Sequence, residues 1–282
     1  MATVVLAVAL PMPAATDAQA GQIVNTPFGA ADWDGDGHQD IIARSNNTGD
    51  LWLYPGESRR GPSTQAPVKI GNGWKGFSPF GVADWDGDGH QDILTRNDAT
   101  GDLWLYPGDS RRGYPNQAPV KISYAWGFFS AFGVADWDGD GHQDILFRND
   151  ATGDLWLYPG ESKRGPSTQA VAKIGNGWNG YSSFGVADWD GDGHQDIVAE
   201  DTAGDVWLYP GDSRRGYSGQ GRVRIGNGWA WYIAFGVTDW DSDGHQDIIA
   251  QYYWTDDLWL YPGDSRRGYS SQAPVILGTR WP

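Results

Sequence analysis

Nine residues, Asp32-Trp33-Asp34-Gly35-Asp36-Gly37-His38-Gln39-Asp40, recur almost unchanged four more times along the chain. The first aspartates of the five copies are Asp32, Asp84, Asp136, Asp188 and Asp239, a spacing of 52, 52, 52 and 51 residues. A period of this length, held from one end to the other, means that one supersecondary unit is stacked on copies of itself. The units run over about 27–78, 79–130, 131–182, 183–233 and 234–282. Each reads in the same order: Phe-Gly-Val-Ala, the acidic loop, an Asp-Ile-apolar run, a turn, Asp-Leu-Trp-Leu-Tyr-Pro-Gly, a polar segment, Ala-Pro-Val-Lys-Ile, and Gly-Asn-Gly-Trp, with small variations.

Short runs of Val, Ile, Leu, Trp and Tyr bounded by Gly, Asn, Asp and Pro are strand signals, and no segment keeps a helical period. Four strands per unit are expected, in the first about Phe28 to Trp33, Asp40 to Ser45, Asp50 to Tyr54 and Pro67 to Ile70. The third places Leu51 and Leu53 on one face and Trp52 and Tyr54 on the other, so both faces need cover. Pro67 and Lys69 mark the fourth as an outer edge. Radial repetition of such a sheet predicts an all-β, five-bladed β-propeller with four antiparallel strands per blade and one acidic loop in each. An open stack would leave two apolar end faces, and no terminal unit carries a polar cap. In the last unit Ile276 replaces the outer-strand lysine, which suggests an edge covered by Gln22-Ile23-Val24 as a latch.

The acidic loop holds carboxylates at positions one, three, five and nine, and a glycine at six where the chain must turn sharply. Four side chains and the backbone carbonyl of position seven then converge on one point. Several anionic hard oxygens on a flexible loop suit Ca²⁺. The expected ligands are Asp32, Asp34, Asp36, Asp40 and His38; Asp84, Asp86, Asp88, Asp92 and His90; Asp136, Asp138, Asp140, Asp144 and His142; Asp188, Asp190, Asp192, Asp196 and His194; Asp239, Asp241, Asp243, Asp247 and His245. The first eight residues match the start of an EF-hand loop, without its twelfth-position glutamate or flanking helices. The pattern resembles the FG-GAP or VCBS repeat of integrin α-subunit propellers, mushroom propeller lectins and secreted bacterial proteins: Phe-Gly, D-x-D-x-D-G-x-x-D, then an apolar strand. That resemblance covers about Phe28 to Pro282, and implies one Ca²⁺ per repeat, about five in all, bound between the first two strands of a blade. Ser242 at the fourth position of the last loop is the one departure, and that site is expected to bind too.

No cysteine is present, so neither disulfides nor thiolates hold the fold. The loops supply 20 of the 36 acidic residues, leaving 16 against 20 basic ones, and the net charge of −16 gives no basic footprint for nucleic acid. Residues 1–20 read as an export signal ending Ala18-Gln19-Ala20, or else as an Ala-rich disordered N-terminus. The mature chain would start at Gly21 as a single secreted domain over 21–282, with no apolar run long enough for a membrane span.

Five equivalent histidines point to solvent-facing loop positions, and no catalytic motif occurs, so an enzyme is not expected. Ten of the 17 tryptophans fill the Trp33 and Trp52 slots, read as packing between blades. A third slot, Trp74, Trp126, Trp178, Trp229 and Trp281, follows the outer strand, where an aromatic could stack on a sugar ring or pack between blades. The arginine pairs of the Arg59-Arg60 type are expected in solvent beside Glu57-type acids. The expected role is a binding module, carbohydrate first and a protein ligand as the alternative, with repetition supplying avidity.

Overall fold

The computed structural model describes residues 25–279 and Trp281. The expected export signal at 1–20 and the expected latch at 22–24 lie outside the described residues. The first blade consists of β1 (Asn25–Ala31), β2 (Asp40–Ser45), β3 (Leu51–Tyr54) and β4 (Val68–Gly71), paired antiparallel in that order. Four more blades repeat it: β5 (Phe77–Ala83), β6 (Asp92–Asn97), β7 (Leu103–Tyr106) and β8 (Val120–Ser123); β9 (Phe129–Ala135), β10 (Asp144–Asn149), β11 (Leu155–Tyr158) and β12 (Ala172–Gly175). The last two are β13 (Tyr181–Ala187), β14 (Asp196–Asp201), β15 (Val206–Tyr209) and β16 (Val223–Gly226); β17 (Tyr232–Thr238), β18 (Asp247–Tyr252), β19 (Asp257–Tyr261) and β20 (Val275–Gly278). The five sheets form a closed five-bladed propeller, with inner strand β1 packed against both β5 and β17.

β1 begins three residues before the sequence expectation and ends two before it, because Phe28 forms a bulge between Pro27 and Gly29 that lets pairing continue to Asn25. The Phe-Gly-Val-Ala motif has a steric origin at the axis. A Cβ on Gly29 would sit 2.5 Å from Val82 Cγ2 of the next blade, and one on Gly133 would sit 2.4 Å from Val186 Cγ2. The first four blades therefore each seat the valine of the next in a notch that only glycine leaves open.

Leucine and tryptophan faces of neighbouring sheets meet to make the core. Leu51 and Leu53 pack with Ile42 and Trp74 of their own blade against Ile93 and Tyr106 of the second. Tyr54, on the opposite face of β3, packs with Leu258, Leu260 and Trp240 of the fifth blade, so apolar burial runs across the ring closure. β4 is the outer edge, where Lys69 pairs with Asp50 at 2.8 Å.

Candidate functional site: five acidic cages and the clefts between blades

Each acidic loop joins the inner strand of a blade to its second strand. Carboxylate oxygens of Asp32, Asp34 and Asp36 lie within 4.8 Å of one another, as do those of Asp84, Asp86 and Asp92; Asp136, Asp138 and Asp144; Asp188, Asp190 and Asp196; and Asp239, Asp241 and Asp247. Loop one thus draws its group from positions one, three and five, and the other four from positions one, three and nine. The loop shapes itself on these same groups. Gly37 N–H donates to Asp32 Oδ2 at 3.0 Å and Asp36 N–H to Asp34 Oδ1 at 3.2 Å, while Gly37 sits at φ 89°.

Asp40 is fully buried. Its Oδ1 accepts from Gly56 N–H at 2.9 Å, and its Oδ2 from Trp33 N–H at 3.1 Å, so it ties the loop to the end of β3. Gly56 is required there, since a Cβ would lie 1.8 Å from the Gln39 carbonyl oxygen. Burial pushes Asp40, Asp92, Asp144, Asp196 and Asp247 up to about 7, against the lowering effect of the glycine N–H.

The cages fit a hard cation on a further ground. Asp32, Asp84, Asp136, Asp188, Asp190 and Asp241 each keep a buried Oδ1 that accepts no hydrogen bond. A buried acceptor without a donor is costly, and a divalent cation would satisfy it and hold the neighbouring carboxyls ionised.

The arginine pairs divide their work, which corrects the expectation that both lie in solvent. Arg59 does pair with Glu57, at 2.6 Å. The second arginine crosses to the preceding blade. Arg112 donates to Asp34 Oδ2, to Asp36 Oδ2 at 2.7 Å and to Gln65 Oε1. Arg164, Arg215 and Arg267 repeat this on the loops of blades two, three and four, and Arg60 closes the circle on Asp241, Asp243 and Gln272 of blade five. One oxygen of each bridged carboxylate faces the guanidinium, leaving the other for an ion.

The histidines are partly buried, not solvent-facing. His38 Nδ1 is 2.7 Å from Ser58 Oγ, and His90, His142, His194 and His245 meet Ser110, Ser162, Ser213 and Ser265 in the same way. All five serines have positive φ, between 43° and 51°. The histidine contact holds the serine in this left-handed conformation and fixes the acidic loop to the β3–β4 connection. Nothing in the acidic motif announces that role.

The third tryptophan slot does not offer sugar-stacking faces. Trp74, Trp126, Trp178 and Trp229 are 6 to 7 % exposed. Trp74 lies 4.3 Å from Tyr106, Trp178 4.4 Å from Tyr209, Trp229 4.2 Å from Tyr261, Trp126 4.4 Å from Phe147 and Trp281 4.2 Å from Tyr54, each ring belonging to the following blade. Inter-blade packing is their role, as it is for Trp33, whose Nε1 donates to the Arg111 carbonyl at 3.2 Å. The Trp52 slot is only half-buried. Beside Trp74 the junction of blades one and two opens a cleft of about 200 Å³, lined by its edge, Tyr106, Tyr114, Asn72, Gln117 and Pro115.

A family model described as FG-GAP-like repeat matches residues 32–95, 84–147, 136–199 and 188–250. The chain belongs to the FG-GAP-like repeat family. The matched units are the acidic loops with their flanking strands, as the resemblance in the sequence implied. No curated protein matches the chain. Among solved structures, a Photorhabdus luminescens Tc holotoxin pore is similar with a TM-score of 0.46 and 18 % identity, over 90 % of this FG-GAP-like chain and 12 % of that one. This chain therefore spans about an eighth of the length of that relative.

Proposed function

We propose that this FG-GAP-like propeller is a secreted binding module without catalytic activity, stapled by one Ca²⁺ per blade and lectin-like in its ligand. The observation that carries the reading is the cleft between blades one and two. It combines aromatic and proline walls with an amide and a phenol at its rim, the mixture that small polar ring ligands need. Secretion is supported by the apolar segment ending Ala18-Gln19-Ala20. Ca²⁺ is supported by the all-oxygen cages, with Asp32, Asp34 and Asp36, and in the other four loops the aspartates at positions one, three and nine, as the holders of the ion.

A glycan array run with Ca²⁺ and with chelator tests the reading. Saccharide-selective binding that disappears on chelation supports it. The tryptophans of the third slot are the wrong positions to substitute, since truncating a buried ring damages the fold itself. Tyr114→Ala is the informative variant.

One observation favours a protein ligand as the second reading. Trp231, Ile233, Tyr253 and Trp254 in the fifth blade are 38 to 50 % exposed, and Trp231 lies 5.3 Å from Trp254. A contiguous exposed aromatic cluster of this kind suits a partner protein. Silence across the array would favour it.

A further inference from the structure

The five junctions between blades are not equivalent, and their differences are concerted. Asn72 follows β4, and its Nδ2 donates to the Tyr114 hydroxyl of the next blade at 3.3 Å. Asn176 and Tyr217 repeat the pair at 3.3 Å, as do Asn227 and Tyr269. At the other two junctions both positions differ together: Tyr124 and Pro166 stand at the second, and Thr279 and Pro62 at the fifth. The two halves of each pair lie in different repeats, 41 or 42 residues apart, so the bond is present or absent as a unit at each junction.

A third group accompanies the pair. Lys69, Lys173 and Arg224 stand on the outer strands beside Tyr114, Tyr217 and Tyr269. Each is neutralised within its own blade, Lys69 by Asp50 at 2.8 Å, Lys173 by Asp154 at 2.7 Å and Arg224 by Asp205 at 3.0 Å. The outer-strand cation of each rim is therefore neutralised, while the Asn176 junction adds Arg222, which stands where Pro119 lines the first cleft and donates to the Tyr209 hydroxyl at 3.1 Å. The three tyrosines remain 48 to 50 % exposed, available to a ligand although already oriented.

The second junction lacks the pair and is built differently, with a cleft of about 190 Å³ beside Trp126, Phe129 and Arg96. Tyr158 is buried, donates to the Ile122 carbonyl at 2.9 Å, and accepts from Ser167 N–H at 3.0 Å. Lys121 lies over the Tyr124 ring at 4.9 Å. The fifth junction has lost the cation as well, with Ile276 at that position.

Building on the carbohydrate reading, we propose that three of the five junctions are ligand sites: Asn72–Tyr114, Asn176–Tyr217 and Asn227–Tyr269. Each takes one polyhydroxylated ring, its face against the aromatic wall and its hydroxyls on the amide, the phenol and the paired ions. The cleft of about 200 Å³ at the first of them admits a single ring and no more than an edge of a second.

The test is titration of the Ca²⁺-loaded full chain with a panel of free mono- and disaccharides, followed by calorimetry and by indole N–H signals in NMR. The proposal expects a stoichiometry of three. The triple variant Tyr114→Phe, Tyr217→Phe, Tyr269→Phe keeps the rings and loses the hydroxyls, and should weaken binding at least tenfold. Tyr124→Ala should leave both stoichiometry and affinity unchanged. Five equal sites, or full binding by the triple variant, would overturn the three-site assignment while leaving the carbohydrate reading intact. Absence of binding by every saccharide would overturn the carbohydrate reading and this assignment with it.

Discussion

Removing divalent cations should bring this propeller close to unfolding, and the size of the effect follows from the number of cages. Each loop carries four carboxylates and receives one guanidinium from the next blade, and the whole chain carries −16. Five dications would lower that to about −6. Extracellular Ca²⁺ modules bind at about 10⁻⁴ to 10⁻³ M. At ~10 mM free Ca²⁺, ligand linkage then contributes about 1.4 to 2.7 kcal/mol per site, or ~7 to 14 kcal/mol for five. That sum rivals the whole stability of an ordinary domain, about 5 to 15 kcal/mol. Calorimetric scans in ~10 mM Ca²⁺ and after exhaustive chelation should differ in Tm by tens of degrees. Elemental analysis should find five Ca²⁺ per chain, and Asp86→Asn should remove one of them with about a fifth of the stabilisation. Identical scans with and without chelator, from protein free of metal at the outset, would refute the reasoning. In that case the unpaired oxygens of Asp32, Asp84, Asp136 and Asp188 would need another account.

Three further outcomes follow from particular contacts. Gly133→Ala places a methyl 2.4 Å from Val186 Cγ2 and should cost about 1 to 3 kcal/mol, whereas Gly236→Ala meets only Ala30 Cβ at 3.1 Å and should cost less; urea denaturation of the two variants checks the order. Glu200 fills the slot from which Arg96 and Arg148 donate to Phe129 and Tyr181 carbonyls of the next blade at 2.8 and 2.7 Å. Burial, then the Asp201 charge, raise its carboxyl from 4.5 to about 7, so the folded chain binds the extra proton and stability falls as pH rises through that window. Glu200→Gln should therefore add about 1 kcal/mol at pH 8, a third of the full linkage value because the group is half-exposed, and progressively less toward pH 5. Trp231→Gly with Trp254→Ala restores residue types that other blades carry at those positions, and Tm should move by no more than about 2 °C; a larger fall would mean the aromatic cluster is structural.

The blade count, the four strands and the five cages were all legible in the sequence, because a 52-residue period repeats every local signal and averages away its exceptions. What escaped was the relation between units. Arg60 and Arg112 look alike within their repeats, and nothing in a linear period says that each serves the loop of the preceding blade. Trp74 and its counterparts follow a polar Gly-Asn-Gly, which left sugar stacking open beside packing between blades. The ring instead turns inward onto Tyr106, because a radial stack places every linker against the next sheet. Ser58 gave no signal at all, since its left-handed backbone arises from the histidine and the neighbouring loop that hold it.

The departures in the fifth repeat, which in the sequence look like decay of the motif, are better understood as chemistry of the closing junction. At the axis β1 supplies Ala30 where other blades supply valine, so the notch at Gly236 is less fully filled. Two polar residues unique to blade five act at the same junction: Thr238 Oγ1 donates to Gln39 Oε1 at 2.9 Å, and Ser242 Oγ to Ser58 Oγ at 2.7 Å. The standard ties are present there too, with Trp240 Nε1 donating to the Arg59 carbonyl at 3.3 Å and Arg60 bridging Asp241 and Asp243. A junction that gains two directional bonds as it loses two methyl groups is fixed in register as well as in strength, because hydrogen bonds constrain direction and apolar contact does not. Ser242 sits inside the acidic motif, so the last cage and the ring closure share one loop, and an ion bound there orders both.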